Sequence, residues 1–178
     1  MHRVQTCLTV CLFALASMPA GSACAADWPM WRCDAGRTAG SPHDLPADLH
    51  LQWTRQYPKT VPAWPDQSRL KFDYEYRPVV MGKTMFVASP TSDWVAALDT
   101  ATGEEKWRTY TDGPVRFAPA VARGKVYVAS DDGYLHCLDA ATGTTLWQVP
   151  GAPDVARKVL GNQRLISTWP ARGGPVLA

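Results

Sequence analysis

The chain has 178 residues, of which 46% are hydrophobic, so it can form one ordinary globular core and lacks the composition of a disordered chain. Its 18 Lys and Arg residues against 16 Asp and Glu residues leave a formal charge of +2. That charge is too small to mark a surface for nucleic acid or anionic lipid, so no nucleic-acid partner is predicted.

Residues 1–25 are predicted to be a signal peptide. Arg3 precedes the apolar run VQTCLTVCLFALASMPA, and Ala23 and Ala25 supply a small-x-small cleavage site. Cleavage near Ala26 predicts an exported protein, periplasmic or extracellular, with no membrane span afterwards. A retained anchor is disfavoured because the apolar run is shorter than the ~20 residues of a bilayer span. Lipid attachment at Cys24 is disfavoured because glycine, not a large aliphatic residue, stands three positions before it.

Cleavage would remove three of the five cysteines and leave Cys33 and Cys137. Two cysteines do not make a disulfide framework. Cys137 lies in an apolar strand, where we interpret it as a small core residue. The two could pair in an oxidising compartment, but nothing in the sequence places them at bridging distance. Their pairing stays open.

Residues 26–60 are interpreted as an N-terminal leader that ends in a strand at residues 49–53, LHLQW. Residues 61–76 are predicted to be a connecting loop rich in aromatic and charged side chains. Long connections between rigid elements are often functional. We expect instead that this loop has a structural role, in which Trp64, Phe72 and Tyr74 pack over the edge of a sheet.

An internal repeat is the most informative feature of the sequence. The segment PVVMGKTMFVASPTSDWVAALDTATGEEKW, residues 78–107, aligns with PAVARGKVYVASDDGYLHCLDAATGTTLW, residues 119–147, after one gap. The copies lie 40 to 41 residues apart and match at both ends. We assign the first repeat to residues 77–113 and the second to residues 114–150.

Each copy is predicted to form four antiparallel strands, which makes the fold class all-β. In the second copy PAVA, KVYVAS, YLHCLD and TTLWQV are rich in β-forming residues, and turns at Gly124, Gly133 and Gly143 separate them. Tight hairpin turns need positive φ, which glycine adopts without a Cβ clash. One such unit cannot bury both of its faces, so the copies must stack on neighbours.

Residues 151–178 are predicted to begin a third repeat. The run KVLGNQRLIST offers two strands around Gly161 and Asn162, and residues 174–178 resemble the opening strand of a further copy. That strand is cut off before its partner.

The pattern L-D-x-A-T-G-x-x-x-W resembles the tryptophan-docking motif of pyrroloquinoline-quinone-like (PQQ-like) β-propeller repeats. The motif residues are Leu98, Asp99, Gly103, Trp107, Leu138, Asp139, Gly143 and Trp147. The resemblance implies that each tryptophan packs between adjacent blades over a neighbouring glycine turn, and that each aspartate fixes its turn. It therefore implies that Trp147→Ala costs about 3 to 5 kcal/mol of stability. The start DWPMWRCDAGRTAG is similar to the leader of exported bacterial members, with Cys33 where glycine is expected.

The number of blades limits what such a chain can form on its own, because a closed propeller ring needs about four to eight blades. Two complete copies with partial edges form an incomplete propeller, in which residues 49–53 would close a blade completed by the far end of a longer chain. We expect an N-terminal fragment of a longer protein. A subunit that completes a ring with other copies is an alternative, and an open array is disfavoured because its strand edges would promote aggregation.

The resemblance implies two functions of different kinds. The first, which we expect, is a binding or scaffolding module similar to the propeller lipoprotein of outer-membrane assembly, with no cofactor and with a protein or the remaining blades as partner. The second is a fragment of a quinoprotein alcohol dehydrogenase that uses PQQ and calcium. The sequence lacks the vicinal cysteine pair associated with such dehydrogenases. No catalytic residue or metal ligand is assigned.

Three further groups of polar residues receive structural interpretations. Asp131 and Asp132 precede a glycine and are interpreted as turn residues, not as calcium ligands. Glu104 and Glu105 are interpreted as a solvated strand entry. His136 is interpreted as a lone polar strand position, because the aligned residue in the first copy is alanine.

Overall fold

The computed structural model describes residues 27–61, 66, 75–154, 156–161 and 164–178. The predicted signal peptide, the aromatic residues Trp64, Phe72 and Tyr74, and Asn162 lie outside the described residues. Within those ranges the chain forms strands and turns, and no helix there is long and apolar enough to cross a membrane. The predicted all-β fold class is confirmed.

Two four-stranded antiparallel sheets correspond to the two copies of the repeat, and we call them blade 1 and blade 2. Blade 1 contains β1 (Val79–Met81), β2 (Thr84–Ala88), β3 (Trp94–Asp99) and β4 (Glu105–Tyr110). Blade 2 contains β5 (Ala120–Ala122), β6 (Lys125–Ala129), β7 (Tyr134–Asp139) and β8 (Thr145–Pro150). Each strand pairs with the next along the chain, as hairpins joined by tight turns require.

The two blades repeat the same register. Phe86 lies opposite Ala97 in blade 1, and Tyr127 lies opposite Cys137 in blade 2. In both blades the pairing of the third and fourth strands shifts immediately before the motif leucine. Such an irregularity increases the local twist of a strand. Both blades therefore carry the same irregularity at the same point of the repeat.

The main hydrophobic core lies between the two blades. Blade 1 contributes mainly Val79, Phe86, Ala88, Val95 and Ala97, and blade 2 contributes mainly Val121, Val126, Val128 and Leu138. Because side chains alternate across a strand, one face of each sheet supplies this core. Trp107 packs against its margin from β4.

The opposite face of blade 1 is covered by the leader. Val87, Trp94, Ala96 and Leu98 form a second cluster, against which Trp53, Tyr57 and Tyr76 pack. The ring of Tyr57 lies 5.1 Å from that of Tyr76 and 5.3 Å from that of Trp94. The leader thus occupies the position that a preceding blade would fill.

Two predicted strands are not formed. Residues 49–53 and 174–178 carry no strand pairing. Each was predicted as an end strand of a partial blade, and a strand requires hydrogen bonds from a neighbour. The described residues supply no such neighbour for either segment. The two strands predicted around Gly161 are present, as β9 (Lys158–Gly161) paired with β10 (Arg164–Ser167).

The outer face of blade 2 is open. Every residue of β8 is exposed, whereas the equivalent strand β4 is half-buried at its centre. The side chain of Trp147 is 40% exposed. Among the described residues no blade lies beside Trp147, so its packing between blades, and the stability cost of truncation that depends on that packing, stay predictions for a chain in which a further blade follows.

The two motif tryptophans should differ strongly in their contribution to stability. Trp107→Ala is expected to cost about 3 kcal/mol, at the low end for an aromatic truncation in a packed interior. Trp147→Ala is expected to cost about 1 kcal/mol, an average point substitution. Urea unfolding of both variants measures these costs, and equal costs would contradict the assignment of Trp107 alone to an interface between blades.

Candidate functional site

Two tryptophans, Trp53 of the leader and Trp107 of the motif, dock on glycine turns. Trp53 lies against Gly103, where an added Cβ would come within 2.6 Å of the indole, and Trp107 lies against Gly143, where the distance would be 2.5 Å. The indole N–H of Trp53 donates to the carbonyl of Thr100 at 2.9 Å, and that of Trp107 donates to the carbonyl of Ala140 at 3.0 Å. These are two equivalent docks one blade apart.

Only glycine satisfies both requirements of the docking turn. Gly103 has a φ of +73° and Gly143 has a φ of +75°, in the left-handed region that side chains disfavour. The close approach of the indole leaves no room for a Cβ. The conformational and the steric reasons for glycine therefore coincide at these positions.

A second donor closes each dock, two residues after the tryptophan. The Arg55 guanidinium donates to the carbonyl of Gly103 at 3.1 Å, and the Thr109 hydroxyl donates to the carbonyl of Gly143 at 2.5 Å. The corresponding position after Trp147 is Val149, which is exposed and has no side-chain donor. Neither this second donor nor the docking of Trp53 was predicted from the sequence, although Trp53 stands in the sequence as a tryptophan ahead of the first repeat.

The motif aspartates organise the turns that receive the tryptophans. Asp99 accepts hydrogen bonds from the backbone amides of Ala101 and Thr102, and Asp139 accepts them from Ala141 and Thr142. For Asp99 the amide of Ala101 and the ammonium of Lys106 are the main causes of a lowered pKa. For Asp139 the amide and hydroxyl of Thr142 lower the pKa. A charged carboxylate therefore shapes each docking turn.

The structure places the remaining motif residues as follows. Leu98 and Leu138 are buried at the ends of their strands. Trp147 keeps the orientation of a docking tryptophan, because its ring lies 6.0 Å from Tyr127 at 52°, as Trp107 lies 5.9 Å from Phe86 at 49°. Among the described residues, no glycine turn lies beneath Trp147.

The turns at one end of both blades form a second candidate region, which we call the loop face. It comprises residues 89–93, 111–119 and 130–133, together with the segment after β10. Asp131 is 1% exposed and accepts hydrogen bonds from Arg116 at 2.5 Å and from Arg172 at 3.2 Å. The interpretation of Asp131 as a turn residue is incomplete, because it also joins the turn to two distant segments.

His136 is not a lone polar residue. Its Nε2 atom lies 2.8 Å from a carboxylate oxygen of Asp132, and both side chains are buried. Burial raises the pKa of Asp132, but the hydrogen bond and electrostatic attraction of His136 and the backbone amides of Tyr134 and Asp112 outweigh it, so the pKa is lowered. The interpretation of His136 as a lone polar position is therefore wrong, whereas Asp132 does stabilise the turn, by accepting from the amide of Tyr134, and in addition pairs with His136.

A cavity of about 450 Å³ opens on the loop face. Its polar lining comes from Lys59, Thr91, Ser92, Arg116 and Arg164. Beside it, one carboxylate oxygen of Asp93 lies 3.4 Å from Arg164, and the other is buried without a hydrogen-bond partner in the described part of the chain.

Burial raises the pKa of Asp93. The cavity lining itself carries three cationic side chains, those of Lys59, Arg116 and Arg164. Two of these cations are paired outside the lining, Arg116 with Asp131 and Arg164 with Asp93.

The other candidate residues do not assemble into a catalytic or metal centre. Glu105 forms ion pairs with Arg55 and Arg108 at 2.6 Å. Cys33 and Cys137 are both free thiols. Across the ranges that the structure describes, no three His, Cys, Asp or Glu side chains lie close enough together to hold a metal ion.

Comparison with known proteins identifies one family. A family model described as outer membrane protein assembly factor BamB matches residues 31–169. A solved structure of the quinohemoprotein alcohol dehydrogenase from Comamonas testosteroni superimposes with a TM-score of 0.53 at 29% identity, over 74% of this chain and 20% of that one.

Curated relatives have diverse activities. The Comamonas testosteroni quinohemoprotein alcohol dehydrogenase is 33% identical over 138 residues, which are 68% of this chain and 18% of that protein. The serine/threonine-protein kinase AfsK of Streptomyces coelicolor is 35% identical over 139 residues, 76% of this chain and 15% of that protein. This chain spans less than a fifth of the length of these relatives.

Alanine substitutions at two glycines should separate the docking contact from backbone strain. Gly143→Ala and Gly124→Ala both place a Cβ at positive φ, +75° and +72°, but only Gly143 has an indole above it. Both variants pay about 1 to 2 kcal/mol of conformational strain. Gly143→Ala is expected to cost a further ~1 to 3 kcal/mol by overpacking. Denaturant unfolding measures the difference, and equal losses would refute a tight dock.

The Asp132–His136 pair predicts a specific acid sensitivity. The pKa of Asp132 is lower in the folded chain than its ordinary value of 3.8, so its stabilisation is present above that value and is lost as pH falls through the folded pKa. Asp132→Asn should cost about 1 to 3 kcal/mol at neutral pH and flatten the loss of stability in acid.

Unfolding curves between neutral pH and pH 3 test the Asp132 prediction. Asp154→Asn is the matched control, because Asp154 is an exposed aspartate. A slope for Asp132→Asn that matches the control slope would show that the pair does not contribute.

Proposed function

Because this chain belongs to the family of PQQ-like β-propeller repeat proteins described as outer membrane protein assembly factor BamB, we propose that it is an exported binding and scaffolding module. Its binding element is the open face of blade 2. This face recognises a further repeat, either elsewhere in the same polypeptide or in a partner protein.

The observation that carries this proposal is the state of Trp147. Its ring has the orientation of the docked Trp107 relative to its own blade, yet it is 40% exposed. Val149 lies on the same face of β8 and is also exposed, and Tyr127 and Leu135 of that face are only half-buried. A group of exposed apolar side chains around an indole is typical of a protein interaction surface.

The docks within the chain indicate what a partner must offer. Each docked tryptophan needs a glycine at positive φ and a backbone carbonyl that accepts its indole N–H. Val149 cannot donate to the glycine carbonyl as Arg55 and Thr109 do. The partner turn must therefore satisfy that carbonyl by another donor or by water.

A second candidate function is a segment of a quinoprotein alcohol dehydrogenase. The likeness to the Comamonas testosteroni enzyme supports it, as does the cationic side of the larger loop-face cavity, which suits carboxylates. Calcium, however, requires six to eight oxygen ligands.

The described residues do not fit the calcium part of such a centre. Asp131 is held by two guanidinium groups, and Asp132 by His136 and two backbone amides. We therefore derive no catalytic step for this chain.

Site-specific crosslinking tests the binding role. Trp147→p-benzoylphenylalanine, introduced into the full chain in its native host, is expected to form adducts at a D-x-x-T-G turn, identified by mass spectrometry. The same probe at Leu160, which is exposed in β9 outside the proposed face, is the matched control. Adducts that are no more frequent at position 147 than at 160 would refute the proposal.

The alternative function has its own measurement. The purified chain is mixed with PQQ and calcium, and dye-coupled oxidation of 1-butanol is followed together with quinone absorbance. A binding module gives neither saturable quinone binding nor turnover. Both signals together would favour the dehydrogenase.

A further inference from the structure

A second, smaller cavity lies where the leader meets the loop face. It has a volume of about 220 Å³ and is lined by Trp31, Arg37, Arg77, Phe117, Arg172, Gly173 and Gly174. These residues come from the leader, from the segments that precede the first strands of both blades, and from the tail after β10. It shares no residue with the open face of blade 2 or with the larger cavity.

The leader is fixed in place before it reaches this cavity. Trp28 forms a backbone bridge with Val80, with N···O distances of 2.8 and 2.9 Å, and the carbonyl of Pro29 accepts a hydrogen bond from the amide of Val121 at 2.7 Å. The leader therefore crosses the free edges of β1 and β5. This anchoring defines the position of Trp31, which follows directly.

The next segment is a compact loop with an unusual backbone. Arg32, Cys33, Arg37 and Ala39 all have positive φ, between 54° and 77°. Such conformations cost free energy in residues with side chains and persist only where the surroundings impose them. The Asp34 carboxylate holds the loop by accepting from the amide and hydroxyl of Thr38. The loop thus positions the Arg37 side chain in the cavity lining, beside the ring of Trp31.

Arginine side chains crowd around the cavity. The Arg37 guanidinium lies 4.7 Å from the centre of the Trp31 ring, and that of Arg77 lies 5.7 Å from the same ring and 5.8 Å from that of Phe117. Arg172 lines the opposite wall. Attraction to the aromatic faces holds these cations but does not neutralise them.

The nearby carboxylates do not balance this charge. Arg77 pairs with Glu75 at 2.7 Å, and Arg172 pairs at 3.2 Å with Asp131, which Arg116 also engages. Arg37 forms no ion pair with any carboxylate in the described ranges. The cavity therefore carries an excess of positive charge in a partly enclosed space, where an anion would relieve the repulsion.

We propose that this cavity binds a small oxyanion, a carboxylate or a phosphate group, between Arg37 and Arg172 above Trp31. Guanidinium groups present paired N–H donors that match the oxygens of both anions. The volume of about 220 Å³ is below the range of about 300 to 1,000 Å³ that drug-sized ligands occupy. The site thus suits a small anionic group and not a large ring system.

Titration followed by NMR tests the site with the full chain. Inorganic phosphate and acetate are added in separate series at constant ionic strength and neutral pH, and the indole N–H signal of Trp31 is followed. A saturable shift with either anion is expected. A stronger response to phosphate assigns the site to phosphoryl groups, and a stronger response to acetate assigns it to carboxylates.

Variants decide whether the cavity is the binding site. Arg37→Ala is expected to weaken binding at least tenfold, a loss of about 1.4 kcal/mol, and Arg37→Lys less, because charge remains without the paired donors. Arg172→Lys provides a second test if Arg37→Ala does not fold. Arg157→Ala removes the same charge at an exposed position outside the cavity and should leave binding unchanged.

Three results would overturn the proposal. They are the absence of a saturable Trp31 shift with both anions, equal affinity of the wild-type chain and Arg37→Ala, and equal weakening by Arg37→Ala and Arg157→Ala. None of these measurements depends on the Trp147 face, so loss of the anion site and loss of the binding role are separately observable.

Discussion

The docking of a tryptophan on the glycine turn of the next blade is the contact on which the rest of the structure depends. A single four-stranded sheet has two apolar faces and cannot bury both. Trp53 and Trp107 each cover a glycine turn of a blade, and the indole N–H of each donates a hydrogen bond to a carbonyl of that turn. The hydrophobic contact and the hydrogen bond act in the same place, so they fix the distance and the orientation of neighbouring blades together.

The loop face shows how polar groups are managed at the same interface. Asp131, Asp132 and His136 are buried beside an apolar core, where an unpaired charge would be strongly destabilising. Asp131 is paired with arginines from two other segments. Asp132 and His136 pair with each other, and Asp132 also accepts a hydrogen bond from the amide of Asp112 in a separate segment. Replacing one member would leave another buried without compensation. The polar contacts therefore favour one arrangement of the two blades over others, whereas burial of the apolar side chains supplies the favourable free energy of stacking the blades.

Repetition explains what could be predicted from the sequence. The two aligned copies predicted the strands and the turns at Gly103 and Gly143, because these depend on local patterns that recur. The docking role of Trp107 was implied by the resemblance of the motif to PQQ-like repeats. The partners of Asp131 and His136 were missed because they break the repeat: Ala96 occupies the position of His136 in blade 1, and Arg116 lies 15 residues before Asp131. The strand predicted at residues 49–53 is not paired in the described residues for a different reason: its predicted partners would come from the far end of a longer chain, and a strand exists only where a neighbour completes its hydrogen bonds.

The two arginines that bind Asp131 occupy similar sequence positions, one before blade 2 and one in the tail after β10. Arg116 stands three residues before Pro119, and Arg172 stands three residues before Pro175. Both side chains reach the same carboxylate, one from the segment that opens blade 2 and one from the segment after β10. Asp131 is thus bridged by two arginines that each stand three residues before a proline, although residues 174–178, the predicted opening strand of a further copy, carry no strand pairing. The ion pair holds Arg172 beside the loop face, and this fixes part of the lining of the small cationic cavity.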